Sequence, residues 1–171
     1  KRSRLVVANR GFDIAPFVCA FRDVYPDYDL ILKIHTKKSA HTFCLKTWAD
    51  YLLQNTMGSP EIVVGILKMF EEDQKLGLVY PEIIPIFKRE LIKGPWQGNW
   101  DLCRSLGARL GLSIDKEKAP EFPAGSMFWF RPKALRPLFE LGLQPEDFPE
   151  GKHFHRNGTL AHAIERLFVL I

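Results

Sequence analysis

Two short stretches carry the side chains best suited to chemistry: "NRGFD" at residues 9–13 and "HTKKS" at residues 35–39. In the first, the Asn9 amide can read a ring edge or a hydroxyl, and Arg10 can form a two-pronged bond to phosphate or carboxylate. Gly11 permits the turn between them, and Asp13 can accept from a sugar hydroxyl or simply cap a helix. In the second, Lys37 and Lys38 are compact charges suited to a diphosphate, Thr36 and Ser39 can donate to its oxygens, and His35 can support them. The plain alternative is a solvated basic loop, the usual fate of an isolated lysine pair. Farther on, His162 and Arg166 stand four residues apart in "LAHAIER", so a helix puts them on one face. That face can look into a cleft, with Arg166 helping to hold phosphate, although solvent is the commoner setting for such residues.

The elements that must position these groups alternate along the chain. "RLVVA" at residues 4–8 reads as a strand ending at the turn "NRG", and Ile14, Phe17, Val18 and Phe21 then recur at helical spacing. Tyr28 to Ile34 is a second strand, which delivers "HTKKS" at its end. A short helix is expected over Trp48 to Asn55. A clearer one follows from Ser59, with Pro60 in its first turn, Glu61 at the positive end of the dipole, and a stripe of Ile62, Val63, Ile66, Leu67 and Phe70. "LGLVYP" is a third strand, residues 82–99 mix proline, glycine and charge, and Asn99 can cap a helix carrying Leu102, Leu106 and Leu110. "GSMFWFRP" is a fourth strand stopped by Pro132, which opens a short helix; a last helix from Thr159 to Leu170 buries Leu160, Ile164, Leu167 and Phe168. This alternation predicts an α/β fold with a mostly parallel sheet covered by helices on both faces. Such sheets hold ligands beyond the carboxyl ends of their strands, where both loops fall.

Composition narrows the function classes. A chain of 171 residues, 46% hydrophobic and 12% aromatic, can bury one sizeable core. No run approaches the ~18 apolar residues of a spanning helix, and the basic start "KRSRLVVANR" lacks the apolar stretch of a signal peptide. Cys19, Cys44 and Cys103 are odd in number and far apart, which suits reduced thiols in a cytoplasmic setting. The mild net charge of +4 and the clustering of aromatics in apolar strands argue against nucleic acid as a partner. No metal is expected from His41 with Cys44 or from His153 with His155, since the paired spacing of structural sites is missing. GxSxG, the Walker phosphate loop and GxGxxG are all absent.

Four blocks, "NRGFDIAPF", "YDLILKIHTKKS", "PAGSMFWFRPKAL" and "NGTLAHAIERL", come in an order that resembles the rhamnan synthesis protein F family, glycosyltransferases of rhamnose-containing bacterial polysaccharides. The resemblance covers nearly the whole chain. It implies one GT-A-like domain over residues 1–171, belonging to a longer chain, with the first nucleotide-binding strand lacking or arranged differently. The implied partners are a nucleotide-sugar donor of the deoxythymidine-diphosphate L-rhamnose type and a polysaccharide or lipid-linked glycan acceptor. The implied location is the cytoplasm at the inner face of the membrane, any peripheral membrane association residing in other parts of the full chain.

The resemblance also implies roles. Asn9, Arg10 and Gly11 resemble the nucleotide-side turn, and Asp13 is placed with them on the donor side. The strand that in GT-A enzymes ends in a metal-binding carboxylate pair ends here in His35, Lys37, Lys38 and Ser39, so lysine charge stands where a metal would neutralise the leaving diphosphate. No cofactor is therefore expected, with Mg²⁺ or Mn²⁺ as the alternative. Arg166 joins the donor side; Gly125, Ser126, Trp129 and His162 form the acceptor side, while Met127, Phe128 and Phe130 suit the core. The base is expected at Glu150, with Asp147 second. The family pattern has an aspartate where this chain has Asn157, an amide that cannot act as a base. The competing reading is a catalytically silent sugar-nucleotide or polysaccharide binding module of a larger synthase.

Overall fold

The computed structural model describes residues 10–36, 43–83, 88, 96–118, 120–150 and 158–171, without the side chains of 43–46. The expected strand at 4–8 and residues Asn9, Lys37, Lys38, Ser39 and Asn157 lie outside the described residues. Gly11, with a left-handed φ of +60°, turns the chain into α1 (Ile14–Ala20), whose Ile14, Ala15, Phe17 and Val18 are buried. A 3₁₀ turn at Tyr25–Asp27 leads to β1 (Ile31–Lys33), shorter than the apolar run because only these three residues find a ladder partner. Next come α2 (Phe43–Met57) and α3 (Pro60–Glu72). Ser59 starts α3 as expected, its Oγ accepting from Ile62 N at 3.4 Å, but the buried stripe is narrower: Ile66 and Phe70 are buried and Leu67 is exposed. The remaining elements are β2 (Leu78–Val79), α4 (Trp100–Arg109), β3 (Phe128–Phe130), α5 (Arg136–Glu140) and α6 (Leu160–Leu167), with 3₁₀ turns at Pro132–Ala134 and Pro145–Asp147.

The described strands form one sheet in the order β1–β3–β2, and β3 pairs antiparallel with both neighbours. The fold is α/β, but the mostly parallel sheet is corrected. β1 and β2 run in the same direction with α2 and α3 between them, as alternation predicts, yet they do not touch, because the later strand β3 inserts between them in the opposite sense. Alternation along a chain fixes the order of elements and leaves the direction of such an inserted strand open.

The register sorts the side chains. Ile31 opposes Phe130 and Lys33 opposes Phe128, so these four share the face that meets α1. Phe128 and Phe130 are fully buried there, edge-on to Phe17 with ring centres 6.0 and 5.5 Å away, and Phe168 beyond α6 closes the cluster. Leu32, Trp129 and Val79 occupy the other face. There the Trp129 indole donates to Thr56 O of α2 at 2.9 Å. A second cluster of Trp48, Leu52, Phe122, Ala124 and Met127 joins α2 to the loop that enters β3. Helices therefore cover both faces, as expected. Among the described residues no helix is long and apolar enough to cross a membrane.

Candidate functional site

Four segments end around one small cavity of about 190 Å³: residues 12–14 at the start of α1, His35 just beyond β1, Gly125 and Ser126 before β3, and Ala161, His162 and Glu165 on α6. The two loops that face each other across it are conformationally demanding. Phe12 and Ser126 take φ values of +56° and +54°, which side chains larger than glycine seldom adopt. Among the described residues only Gln97 joins them as a non-glycine in that region. Backbone strain of this kind is held where surrounding structure over-determines it, and it concentrates at ligand sites. Gly125 is compelled twice, by its φ of +87° and because a Cβ there would lie 2.6 Å from Leu52 Cδ1 and 3.0 Å from Trp48 Nε1.

An ion pair holds one wall. Lys33, the last residue of β1, is buried with its Nζ 5.3 Å from the centre of the Phe17 ring; it donates to the Asp13 carboxylate and, at 2.8 Å, to Ser126 O. Asp13 is thus not the helix cap that its position suggests: its side chain makes no capping bond and turns to the lysine. His35 Nε2 lies 2.7 Å from Gly125 O and 3.7 Å from the same Asp13 oxygen. Glu165 forms the facing wall, its Oε1 accepting from Gly125 N and from Ser126 Oγ, each at 3.1 Å.

Behind Glu165 stands Arg166, buried at 3% exposure. Its Nη1 donates to His162 O at 2.8 Å and lies 3.7 Å from Glu165 Oε2, while Nη2 donates to Gln97 Oε1 at 2.6 Å. Burial pushes the guanidinium below its ordinary value, opposed by the charge of Glu165. His162 Nδ1 is hydrogen-bonded to Thr159 Oγ1 at 2.7 Å, and the Phe12 ring meets the imidazole edge-on. Burial, reinforced by Arg166, lowers the His162 pKa to about 4, so the ring is neutral near pH 7.

The structure brings Asp13, His35, Gly125, Ser126 and His162 to one cavity. Gly11 does not line it and packs instead against Phe148, where a Cβ would lie 2.5 Å from Cδ1. The other residues singled out in the sequence lie elsewhere. Arg166 is turned into the interior, contrary to a helix face open to solvent or phosphate, because its neighbours Gln97, His162 and Phe122 enclose it. Trp129 points to the opposite side of the sheet. Arg10 pairs with Glu150 in an isolated antiparallel bridge, and Glu150 is 73% exposed and outside the cavity. Asp147 is also exposed, its carboxylate accepting from Gln144 N at 2.8 Å. Sequence reasoning missed Lys33 and Glu165. A lysine within an apolar strand signals a buried partner, and Glu165 is three residues from His162 on the same helical face.

Two curated relatives from Xanthomonas campestris pv. campestris, strains B100 and ATCC 33913, each called uncharacterized protein WxcX, are 39% identical over 161 residues, which is 92% of this chain. The chain spans about 22% of the length of these relatives. No solved structure matches significantly. The model of one family, described as rhamnan synthesis protein F, matches residues 2–171. The chain therefore belongs to the rhamnan synthesis protein F family.

Proposed function

We propose that this chain is a glycosyltransferase domain that moves a sugar, rhamnose by the family's description, from a nucleotide-diphosphate donor to a glycan acceptor of a bacterial polysaccharide. The observation that carries the reading is the convergence of two carboxylates, two imidazoles and a serine hydroxyl, from four chain segments, on a cavity the size of one sugar ring. At about 190 Å³ it lies below the roughly 300–1,000 Å³ of sites for larger ligands. Its polar atoms can read hydroxyl groups, and Phe12 supplies an apolar wall for a methyl-bearing sugar.

In this reading the sugar sits in the cavity, and Lys37 and Lys38, which follow the cavity's His35 in the sequence, supply charge in place of a metal as the diphosphate departs. Asp13 accepts directly from the buried Lys33 ammonium, whereas Glu165 meets the Arg166 guanidinium only at 3.7 Å and through Oε2, so Glu165 is taken as the carboxylate that serves the acceptor. The acceptor hydroxyl gives its proton to Glu165, its oxygen bonds to the anomeric carbon, and the bond from that carbon to the phosphate oxygen breaks, its electron pair leaving with the diphosphate. A GT-A-like arrangement, which the family resemblance implies, suits this chemistry.

The test is donor hydrolysis and transfer by the full-length protein with deoxythymidine-diphosphate L-rhamnose, with and without chelator. Glu165→Gln is expected to lower both at least about 100-fold when assayed well below the variant's own melting temperature, which falls because Arg166 loses its counter-charge. Saturable donor binding without any turnover would favour a silent binding module instead, and activity lost to chelator and restored by Mn²⁺ would remove the lysine role.

A further inference from the structure

A second and larger cavity, about 750 Å³, opens at the opposite ends of the same elements. The small site lies before α1, beyond β1 and before β3, whereas the large one lies after α1 at Arg22 and Tyr25, before β1 at Tyr28 and Asp29, and after β3 at Arg131 and Lys133. The seven residues of α1 stand between them, so its length alone separates the two by roughly 10 Å. No residue lines both.

The walls of this groove define a ligand class. Phe139 and Tyr25 pack with ring centres 4.6 Å apart at its floor, and Tyr28, 49% exposed, stands at its rim. Around these rings come four basic and three acidic side chains. Arg131 is engaged internally, donating to Leu76 O at 3.2 Å and to Phe70 O, and Arg136 is paired with Glu140 at 3.6 Å. The remaining charge is balanced: Arg22 and Lys133 stand with Asp23 and Asp29. A diphosphate or nucleotide calls for several cations free to turn to it, whereas the described lining carries a net charge of only +1, that of Arg131, whose donors are held by backbone carbonyls. Apolar ring faces surrounded by planar donors and acceptors of both signs instead fit a neutral polyhydroxyl chain, whose ring faces are apolar and whose edges both donate and accept. The volume accommodates several sugar units, whereas the small cavity takes one.

We infer that this groove is a second saccharide site, which holds a neutral stretch of the glycan away from the reacting end. The inference rests on the sugar-transfer reading for the identity of the glycan, and the two can fail separately. The experiment titrates a synthetic rhamnose oligosaccharide into the full-length protein by calorimetry, using wild type, Tyr28→Ala, Arg136→Ala and Glu165→Gln, and measures donor hydrolysis in parallel. Tyr28 and Arg136 are exposed, so both variants should keep the wild-type melting temperature. The expected result is oligosaccharide binding weakened about tenfold by Tyr28→Ala and by Arg136→Ala, with donor hydrolysis unchanged. Binding that is indifferent to both substitutions, or lost only in Glu165→Gln, overturns the groove. So does absent binding alongside normal donor hydrolysis. Groove-dependent binding without any donor hydrolysis upholds the groove and removes the transferase reading, and failure of both assays removes both.

Discussion

Lys33 and Asp13 form an ion pair between the end of β1 and the residue before α1, and it places a carboxylate on the cavity wall. The lysine side chain is 5% exposed and the aspartate 23%. Taking one partner from such a pair leaves a buried charge uncompensated, so Asp13→Ala is expected to cost about 3 kcal/mol. Lys33→Met replaces the ammonium by an apolar side chain of similar length beside Phe17 and Phe128 and should cost less. The double variant should therefore resemble Lys33→Met alone. Urea unfolding of all three checks this, and strictly additive losses would show that the pair is not coupled.

The glycines separate packing from backbone strain. Gly125 and Gly111 both have positive φ, +87° and +70°, but a Cβ at Gly111 would meet nothing within 4 Å, whereas at Gly125 it would collide with Leu52 and Trp48. Gly111→Ala is expected to cost about 1–2 kcal/mol from backbone conformation alone. Gly125→Ala adds overpacking and should cost at least about 3 kcal/mol. Thermal melts of the two variants decide, and equal losses would mean that α2 yields freely.

What was legible in the sequence was local. Ser59, Pro60 and Glu61 announce α3 because capping is a matter of neighbouring residues, and Phe128 and Phe130 announce core because a strand alternates. Strand direction was not legible, since the pairing of Lys33 with Phe128 joins residues 95 positions apart and no short pattern records it. Asp13 and Asn99 look like caps for the same local reason, yet each is recruited elsewhere: Asp13 by Lys33, and Asn99 by Gly158 N, which donates to its side-chain oxygen at 2.7 Å. Asp13 and His35 of the cavity were visible in "NRGFD" and "HTKKS", but the facing wall was not, because Glu165 reads as an ordinary polar residue of a helix until α6 is docked.

His162 gives the cavity a pH signature. Its folded pKa of about 4 lies below the ordinary 6.5, so above 6.5 the ring is neutral both folded and unfolded and contributes nothing. As pH falls from 6.5 to 4 the unfolded chain takes up a proton that the folded chain refuses, and stability is lost by about 2 kcal/mol, allowing for the ring's partial exposure. His162→Gln should remove this part of the slope. Urea midpoints at pH 7, 5 and 4 measure it, and an unchanged slope in the variant would assign the loss to other groups.

The two glutamates nearest the chemistry are told apart by what holds them. Glu150 is exposed and pairs with Arg10 at the surface, so Glu150→Gln should change stability by less than about 1 kcal/mol. Glu165 is 18% exposed, bonded to Gly125 N and Ser126 Oγ, and backed by Arg166. With the base on the cavity wall, Glu150→Gln is expected to keep donor hydrolysis within about threefold of wild type, while Glu165→Gln lowers it at least about 100-fold. The rates are best measured across pH, because loss of a base also removes the acidic limb of the profile, which loss of a merely structural contact does not. The reverse ranking would return the base to Glu150, where the resemblance first put it, and would move the reacting hydroxyl out of the cavity to the Arg10 edge.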